Sequence, residues 1–196
     1  MLYLVGTPIG NLDDVTLRAL ALLRSAELVL AEDTRTARRL LEHHGIKARV
    51  LSYTEHNHAM RLARIFEALE RGDVALISEA GMPGINDPGQ QLVAAMADAG
   101  VTVAGVPGPS AVPLAVALSG LPIRSFTFLG FLPHEAGPRR TLLRENAGRG
   151  HALVAFETPH RLREALAAID AVLGPRRLAV CRELTKVHEE VFRGSA

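Results

Sequence analysis

Three glycine- and proline-rich segments stand where backbone with little side chain could meet a ligand. They are Gly6-Thr7-Pro8-Ile9-Gly10, Glu79-Ala80-Gly81-Met82-Pro83-Gly84-Ile85 with its continuation Asn86-Asp87-Pro88-Gly89, and Pro107-Gly108-Pro109-Ser110-Ala111. Glycine lets backbone approach a flat ligand closely, and proline stiffens the loop that does so. Any one of these segments is ordinary turn chemistry. Three of them at the ends of apolar strands read as the rim of a cofactor cleft. The first is not G-x-G-x-x-G, and no acidic residue closes a second strand about 20 positions on, which argues against a dinucleotide fingerprint. No G-x-x-x-x-G-K-[ST] occurs, so a P-loop is excluded.

Charged residues supply the other candidates. In Arg182-Glu183-Leu184-Thr185-Lys186, alternation along a strand places Arg182, Leu184 and Lys186 on one face and Glu183 and Thr185 on the other. Lys186 is one of only two lysines and is a candidate for catalysis or phosphate positioning, against the alternative of a solvated edge-strand lysine. Glu157 precedes Thr158-Pro159 at the entry to a helix, where negative charge is favoured, so it serves either that terminus or a ligand. Glu32-Asp33-Thr34-Arg35 either holds a nucleotide or caps the following helix. His56 and Asn57 are candidates to reach an acceptor, but the His56-x-His58 pair is too isolated for a zinc site, and no metal site is expected. Arg139, Arg140, Arg144 and Arg149 are candidates for phosphate contacts or form a solvated helix face.

The elements that must position these residues alternate. Short, mainly apolar runs at 2–5, 28–31, 74–78 and 101–106 read as buried strands, and 50–52 reads as a weak strand. Segments of helical periodicity lie between them, near 17–23, 34–44, 60–70 and 90–99. This βαβα rhythm predicts an α/β fold with a mostly parallel sheet covered on both faces. After Ser110 the pattern restarts: a helix at 111–118, strands at 125–129 and 152–156, a helix at 159–173 and a strand at 178–181. The polar stretch 133–150 carries no assigned element, and 191–196 ends without one to pair it. The domain boundary is placed at residue 112, giving an N-terminal domain 1–112 and a C-terminal domain 113–196.

Composition narrows the function classes. The chain has 196 residues, 48% hydrophobic and 22% charged, the profile of a folded soluble protein. One cysteine, Cys181, excludes an intramolecular disulfide framework and fits a reducing cytosol. With no Trp and 4% aromatic residues, an aromatic base-stacking sheet is not expected. The formal charge is +1, yet 20 of the 22 basic residues are Arg, and residues 1–112 carry net −3 against net +4 for 113–196. Genomic composition is one explanation of the arginine excess; phosphate recognition by a planar fork is the other. The start lacks a basic n-region, and the uncharged stretch 99–123 is broken by four prolines and four glycines, so neither a secretory signal nor a membrane span is expected.

A set of motifs, in order along the chain, resembles the family of small-subunit rRNA 2′-O-ribose methyltransferase I. They are Thr7-Pro8-Ile9-Gly10-Asn11-Leu12, Thr16-Leu17-Arg18-Ala19-Leu20, Ala31-Glu32-Asp33-Thr34-Arg35, Ser52-Tyr53 with Glu55-His56-Asn57, and Ala80-Gly81 with Pro83-Gly84-Ile85 and Asp87-Pro88-Gly89. Further on come Val106-Pro107-Gly108-Pro109-Ser110-Ala111, Gly130-Phe131-Leu132-Pro133, Phe156-Glu157-Thr158-Pro159-His160-Arg161 and Arg182-Glu183-Leu184-Thr185-Lys186. The family belongs to the tetrapyrrole-methylase (class III) superfamily and modifies a cytidine of 16S rRNA. The resemblance implies a cytoplasmic homodimer that binds S-adenosylmethionine between two α/β domains and acts on 16S rRNA or the 30S subunit. It implies cofactor contacts at Pro8, Glu79, Ala80, Gly81, Met82, Ile85, Ser110, Ala111, Phe131, Leu132, Phe156 and Glu157. The residues themselves, rather than the resemblance, make Lys186 and Glu183 the catalytic candidates and Arg35, Arg139, Arg140 and Arg144 the candidates for RNA contacts. Glu79 and Met82 stand where the family usually has Asp and Thr, and the family continues for several elements beyond residue 196, leaving the second domain incomplete. Rival readings are a methylase of tetrapyrrole carbons, which would usually show a G-x-G-x-G-D-like first loop, and a module that only binds RNA or cofactor.

Overall fold

The apolar runs form one five-stranded parallel sheet in the computed structural model, which describes residues 1–148 and 150–195. Its strands are β1 (Leu2–Val5), β2 (Leu28–Ala31), β3 (Val50–Ser52), β4 (Val74–Ile77) and β5 (Val103–Val106), in the order β3-β2-β4-β1-β5. Alternation along each strand sends side chains to two cores. Leu2, Leu28, Leu30, Val74 and Leu76 face one side, where Ile65 and Ala68 of α3 (His58–Arg71) and Leu92 and Met96 of α4 (Gln90–Asp98) cover them. Val5, Val29, Ala31, Ala75 and Ile77 face the other, under Ala19 and Leu23 of α1 (Leu17–Ser25) and Ala37 and Leu41 of α2 (Thr34–His43). Each fully buried Leu or Val contributes about 1.5–3 kcal/mol of transfer free energy, and strands covered on both faces need no polar alternation.

Capping fixes where two of these helices begin. Thr16 Oγ1 accepts from Ala19 N at 3.1 Å at the start of α1, and Asp33 Oδ1 accepts from Arg35 N at 2.7 Å at the start of α2. Each side chain satisfies one of the N–H groups that a helix leaves unpaired at its amino end.

The chain divides into two compact units, Met1–Ala111 and Val112–Ala196. In the second, β6 (Phe126–Phe131) pairs in parallel with β7 (Ala152–Phe156), with an irregularity between Phe128 and Phe131 at left-handed Gly130. The helices α6 (Ala136–Asn146) and α7 (Leu162–Leu173) pack together over Leu132, Leu143, Ala165 and Ala168. A hairpin of β8 (Arg177–Arg182) and β9 (Glu190–Ser195) completes the unit. It is tied to the end of α5 (Ala111–Leu118), where Arg193 donates from Nη2 to Leu118 O at 2.6 Å and from Nε to Ser119 O at 3.1 Å.

Two expectations need correction here. The polar stretch after Pro133 contains α6, whose amphipathic stripe of Arg139, Leu143 and Asn146 is buried at i, i+4, i+7 spacing. The segment after Val191 is not left unpaired: β9 pairs antiparallel with β8 from Arg177↔Ser195 to Arg182↔Glu190, because the chain reverses sharply between them. No helix among the described residues is long and apolar enough to cross a membrane. The uncharged stretch 99–123 is divided among β5, a loop and α5.

Candidate active site

In parallel sheets, ligands meet the carboxyl ends of the strands. The order β4-β1-β5 sets the loops after these three strands side by side. Their backbones are joined directly. Thr7 and Gly81 exchange two hydrogen bonds, Thr7 N to Gly81 O at 2.9 Å and Gly81 N to Thr7 O at 3.1 Å. Thr7 Oγ1 also donates to Ser78 O at 3.1 Å, and Ser78 Oγ donates to Gly81 O at 2.9 Å. Gly81 has φ 89°, a conformation that β-carbon-bearing residues rarely adopt. On the other side, a Cβ placed on Gly6 would lie 2.7 Å from Gly108 Cα and 2.7 Å from Met82 Sδ. The close approach of two backbones is what requires glycine in both loops.

Of the expected cofactor residues, Pro8, Glu79, Ala80, Gly81, Met82, Ile85, Ser110 and Ala111 all lie on these loops in the first unit. Pro8 and Gly81 are buried, Met82, Ser110 and Ala111 half-buried, and Glu79, Ala80 and Ile85 exposed. Pro8, Glu79 and Ala80 also line a cavity bounded by Thr36, Arg39 and Leu40 of α2.

Three carboxylates gather on the same rim. Burial, and then the charges of Glu32 and Glu79, push the Asp87 carboxyl up to about 6. The folded Asp87 thus keeps its proton to a higher pH than an unfolded one. Its stabilising contribution is full below the ordinary value of 3.8 and is lost as pH rises through about 6. We expect Asp87→Asn to stabilise the protein at pH 8 by on the order of 1 kcal/mol, solvent screening having reduced the full effect. That gain should shrink toward pH 4, as thermal melts at the two pH values would read.

The second unit carries the remaining expected contacts at the carboxyl ends of β6 and β7. Phe131 and Phe156 have ring centroids 5.3 Å apart, and Phe131 is 51% exposed. Buried Leu132 donates from N to Phe156 O at 3.2 Å, while its carbonyl accepts from Arg161 Nη1 at 3.2 Å. Glu157 Oε1 accepts from Thr158 N at 2.7 Å and pairs with Arg161 Nη2 at 2.5 Å. Its other oxygen, Oε2, is buried without a hydrogen-bond partner among the described residues. A buried, unfilled acceptor is costly, and a ligand donor would satisfy it. Arg161, quoted in the sequence only as part of a motif, is therefore the cation that makes burial of Glu157 tolerable.

The catalytic candidates do not lie on a strand. Residues 183–189 form a tight reversal in which Glu183 has φ 50° and Thr185 φ 67°. Lys186 N donates to Glu183 O at 2.9 Å, and Thr185 N donates to Glu189 Oε2 at 2.7 Å. Strand alternation therefore does not sort Arg182, Leu184 and Lys186 from Glu183 and Thr185. The turn instead brings Lys186 Nζ to 3.0 Å from Glu183 Oε1 and buries Leu184. Left-handed backbone at two residues other than glycine, one of them β-branched, is a strained arrangement of a kind that clusters at functional sites.

Several nucleotide-facing candidates are occupied structurally. Asp33 caps α2 and is gripped by the Arg35 fork, Nη2 to Oδ2 at 2.7 Å; those hydrogen bonds lower its pKa to about 2. Asn57 Oδ1 accepts from Thr54 N at 2.9 Å in a capping box, and His58 Nδ1 lies 2.8 Å from the Tyr53 hydroxyl. Arg139 is 4% exposed, with Nη2 3.5 Å from Glu164 on α7, so its guanidinium is packed within the second unit rather than turned to solvent. Arg140 and Arg144 are exposed on α6, as is Arg35 on α2. Arg149 lies outside the described residues.

The family model described as Tetrapyrrole (Corrin/Porphyrin) Methylases matches residues 1–196. A protein named ribosomal RNA small subunit methyltransferase I from Halalkalibacterium halodurans is 45% identical over 99% of this chain and 68% of its own length. Its namesake from Thermotoga maritima is 47% identical over 98% of this chain and 87% of its own. The crystal structure of uroporphyrin-III-C-methyltransferase from Thermus thermophilus superposes with a TM-score of 0.67 at 25% identity, covering 98% of this chain and 84% of the other. Whole-chain agreement with the family model, with named relatives and with a solved fold places the chain among the tetrapyrrole methylases, in the group of ribosomal RNA small subunit methyltransferase I, and makes it a methyltransferase.

Proposed function

We propose that the protein transfers a methyl group from S-adenosylmethionine to the ribose 2′-hydroxyl of a cytidine in 16S rRNA, as a cytoplasmic homodimer. The observation that carries this reading is the 45–47% identity, along almost the whole chain, to proteins named for methylation of small-subunit rRNA. The residues present suit the donor. The glycine-glycine approach at Gly6 and Gly108 holds the loops after β1 and β5 together on one rim, and Glu157 Oε2 offers an unfilled acceptor.

S-adenosylmethionine supplies an electrophilic methyl carbon on a sulfonium. The protein's part is alignment of the acceptor and charge stabilisation, since a hydroxyl is a weak nucleophile. Pro8, the loop 79–85, Ser110 and Ala111 are the proposed cofactor contacts within the first unit, and Phe131, Leu132, Phe156 and Glu157 are those within the second. Glu79 keeps the negative charge of the family's aspartate with one more methylene. Met82, lacking the hydroxyl of the family's threonine, packs beside Gly6 rather than donating a hydrogen bond. Lys186 would hold positive charge against the acceptor oxygen as its proton leaves, and Glu183, 3.0 Å away, is the carboxylate at hand to orient the lysine and take that proton.

Incubation with methyl-labelled S-adenosylmethionine and either 30S subunits or naked 16S rRNA tests this reading. Label is expected on a cytidine 2′-oxygen. Label on a base or a tetrapyrrole instead would overturn the ribose assignment, and cofactor binding without transfer would favour a binding module.

The exposed arginines of α6 and α2 give a separate expectation. Replacing Arg140 and Arg144 together with alanine should weaken RNA binding evenly across sequences and reduce the salt dependence of log K by roughly 2. Arg139→Ala should instead lower stability and leave that slope unchanged. Filter binding across a salt series separates the two effects.

A further inference from the structure

Outside the methyl-transfer site, the fold brings together three metal-ligating side chains from segments 30 residues apart. Asp13, on the segment that follows the first rim loop, meets His43 and His44 at the end of α2, and one ligand atom from each lies within 4.8 Å of the others. His43 Nε2 is 3.1 Å from Asp13 Oδ1. Two ligands of a tetrahedral ion at metal–ligand distances near 2.0 Å are about 3.3 Å apart, so this edge needs little change to accept one.

His44 is oriented in the way metal-binding imidazoles are. Its Nε2 lies 2.9 Å from the Leu12 carbonyl, and an N–H donated there leaves the lone pair on Nδ1. Arg24 Nη2 donates to His44 O at 3.4 Å and anchors the residue's backbone. His43 is the last residue of α2 and His44 its C-cap, where the helix's unpaired carbonyls favour a cation. Asp13 supplies the negative charge. The His43 side chain is 44% exposed and that of Asp13 79%, so an ion can enter from solvent.

We propose that Asp13, His43 and His44 bind a divalent transition-metal ion of the zinc class, with its remaining coordination positions open to water. Two imidazoles and one carboxylate select such ions over Mg²⁺ and Ca²⁺, which prefer all-oxygen sets. The ion would tie the segment after β1 to the end of α2. Leu12, beside Asp13, and Leu40, near the end of α2, both line the cavity described above, so the tie would brace its wall.

The test is calorimetric titration of the untagged full chain with ZnCl₂ and, separately, MgCl₂. One zinc per chain is expected, with a rise in the thermal midpoint. His43→Ala and Asp13→Asn should each weaken zinc binding by at least about tenfold and abolish the rise. Asp13 is so exposed that Asp13→Asn serves even if a histidine variant fails to fold. Zinc isotherms unchanged in both variants, no saturable site near one equivalent, or equally tight Mg²⁺ would each overturn the proposal.

Discussion

Replacing Gly108 with alanine is expected to cost the protein about 2–3 kcal/mol and its cofactor site together. A Cβ there would lie 2.7 Å from Gly6 O and 2.8 Å from Gly6 C and Cα, distances that real contacts do not show. The obstruction is backbone on backbone, with no flexible side-chain end to yield, so the loops after β1 and β5 must separate. Gly6→Ala meets the reciprocal contact, with the Met82 sulfur added. Because Thr7 is bonded to Gly81 through both backbone groups, a shift at Gly6 also pulls on the loop after β4. All three rim loops then lose their relative placement.

Gly105→Ala is the control for that expectation. Its Cβ would meet nothing within 4 Å, and it lies in β5 only three residues away. In a strand, alanine costs less conformational entropy than glycine, so this variant should melt at or slightly above the wild-type temperature. Thermal denaturation with calorimetric binding of S-adenosylmethionine reads both effects. If Gly108→Ala melts with the control and binds cofactor at wild-type strength, the close approach is not what shapes the rim.

Legibility from sequence followed how local the determining physics is. Strands β1, β2 and β4 are unbroken apolar runs because both faces are covered, the mark of a parallel sheet. That the loops after β1, β4 and β5 share a rim followed from the fold class, but the hydrogen bonds joining Thr7 to Gly81 belong to strand order, which no local pattern encodes. The bounds of α6 and its buried face were not legible, because Gly137 and Pro138 stand in its first turn and most of its face is polar. Its i, i+4, i+7 stripe was nevertheless present, and would have taken Arg139 off the list of solvent-facing cations. The β8–β9 hairpin was hidden by its turn. Glu183 and Thr185 adopt left-handed backbone there, the role that glycine or asparagine normally advertises. The Asp13–His43–His44 cluster depends on a contact between distant segments and carries no spacing signal.

The same turn decides where the largest chemical effect is expected. With residues 183–186 on a strand, Glu183 and Lys186 would occupy opposite faces and act separately. In the reversal they form one ion pair, while Leu184, between them, is buried and fixes the turn to the body of its unit. The strain of two left-handed residues is thus held by an apolar anchor and by hydrogen bonds at both ends of the turn. Positioning of this kind matters more for a charged group that must meet a developing oxyanion than for one that merely solvates a surface. Lys186→Met should therefore lower single-turnover methyl transfer to 30S subunits by roughly 10²–10³-fold while leaving the dissociation constant for S-adenosylmethionine unchanged. Lys186→Arg keeps the charge but not the compact ammonium and should recover only part of the rate. Glu183→Gln, which removes the proposed proton acceptor as well as freeing the lysine, should lower the rate while leaving the dissociation constant for S-adenosylmethionine unchanged. A Lys186→Met enzyme within about threefold of the wild-type rate would contribute too little, under 1 kcal/mol, for this lysine to touch the reacting oxygen.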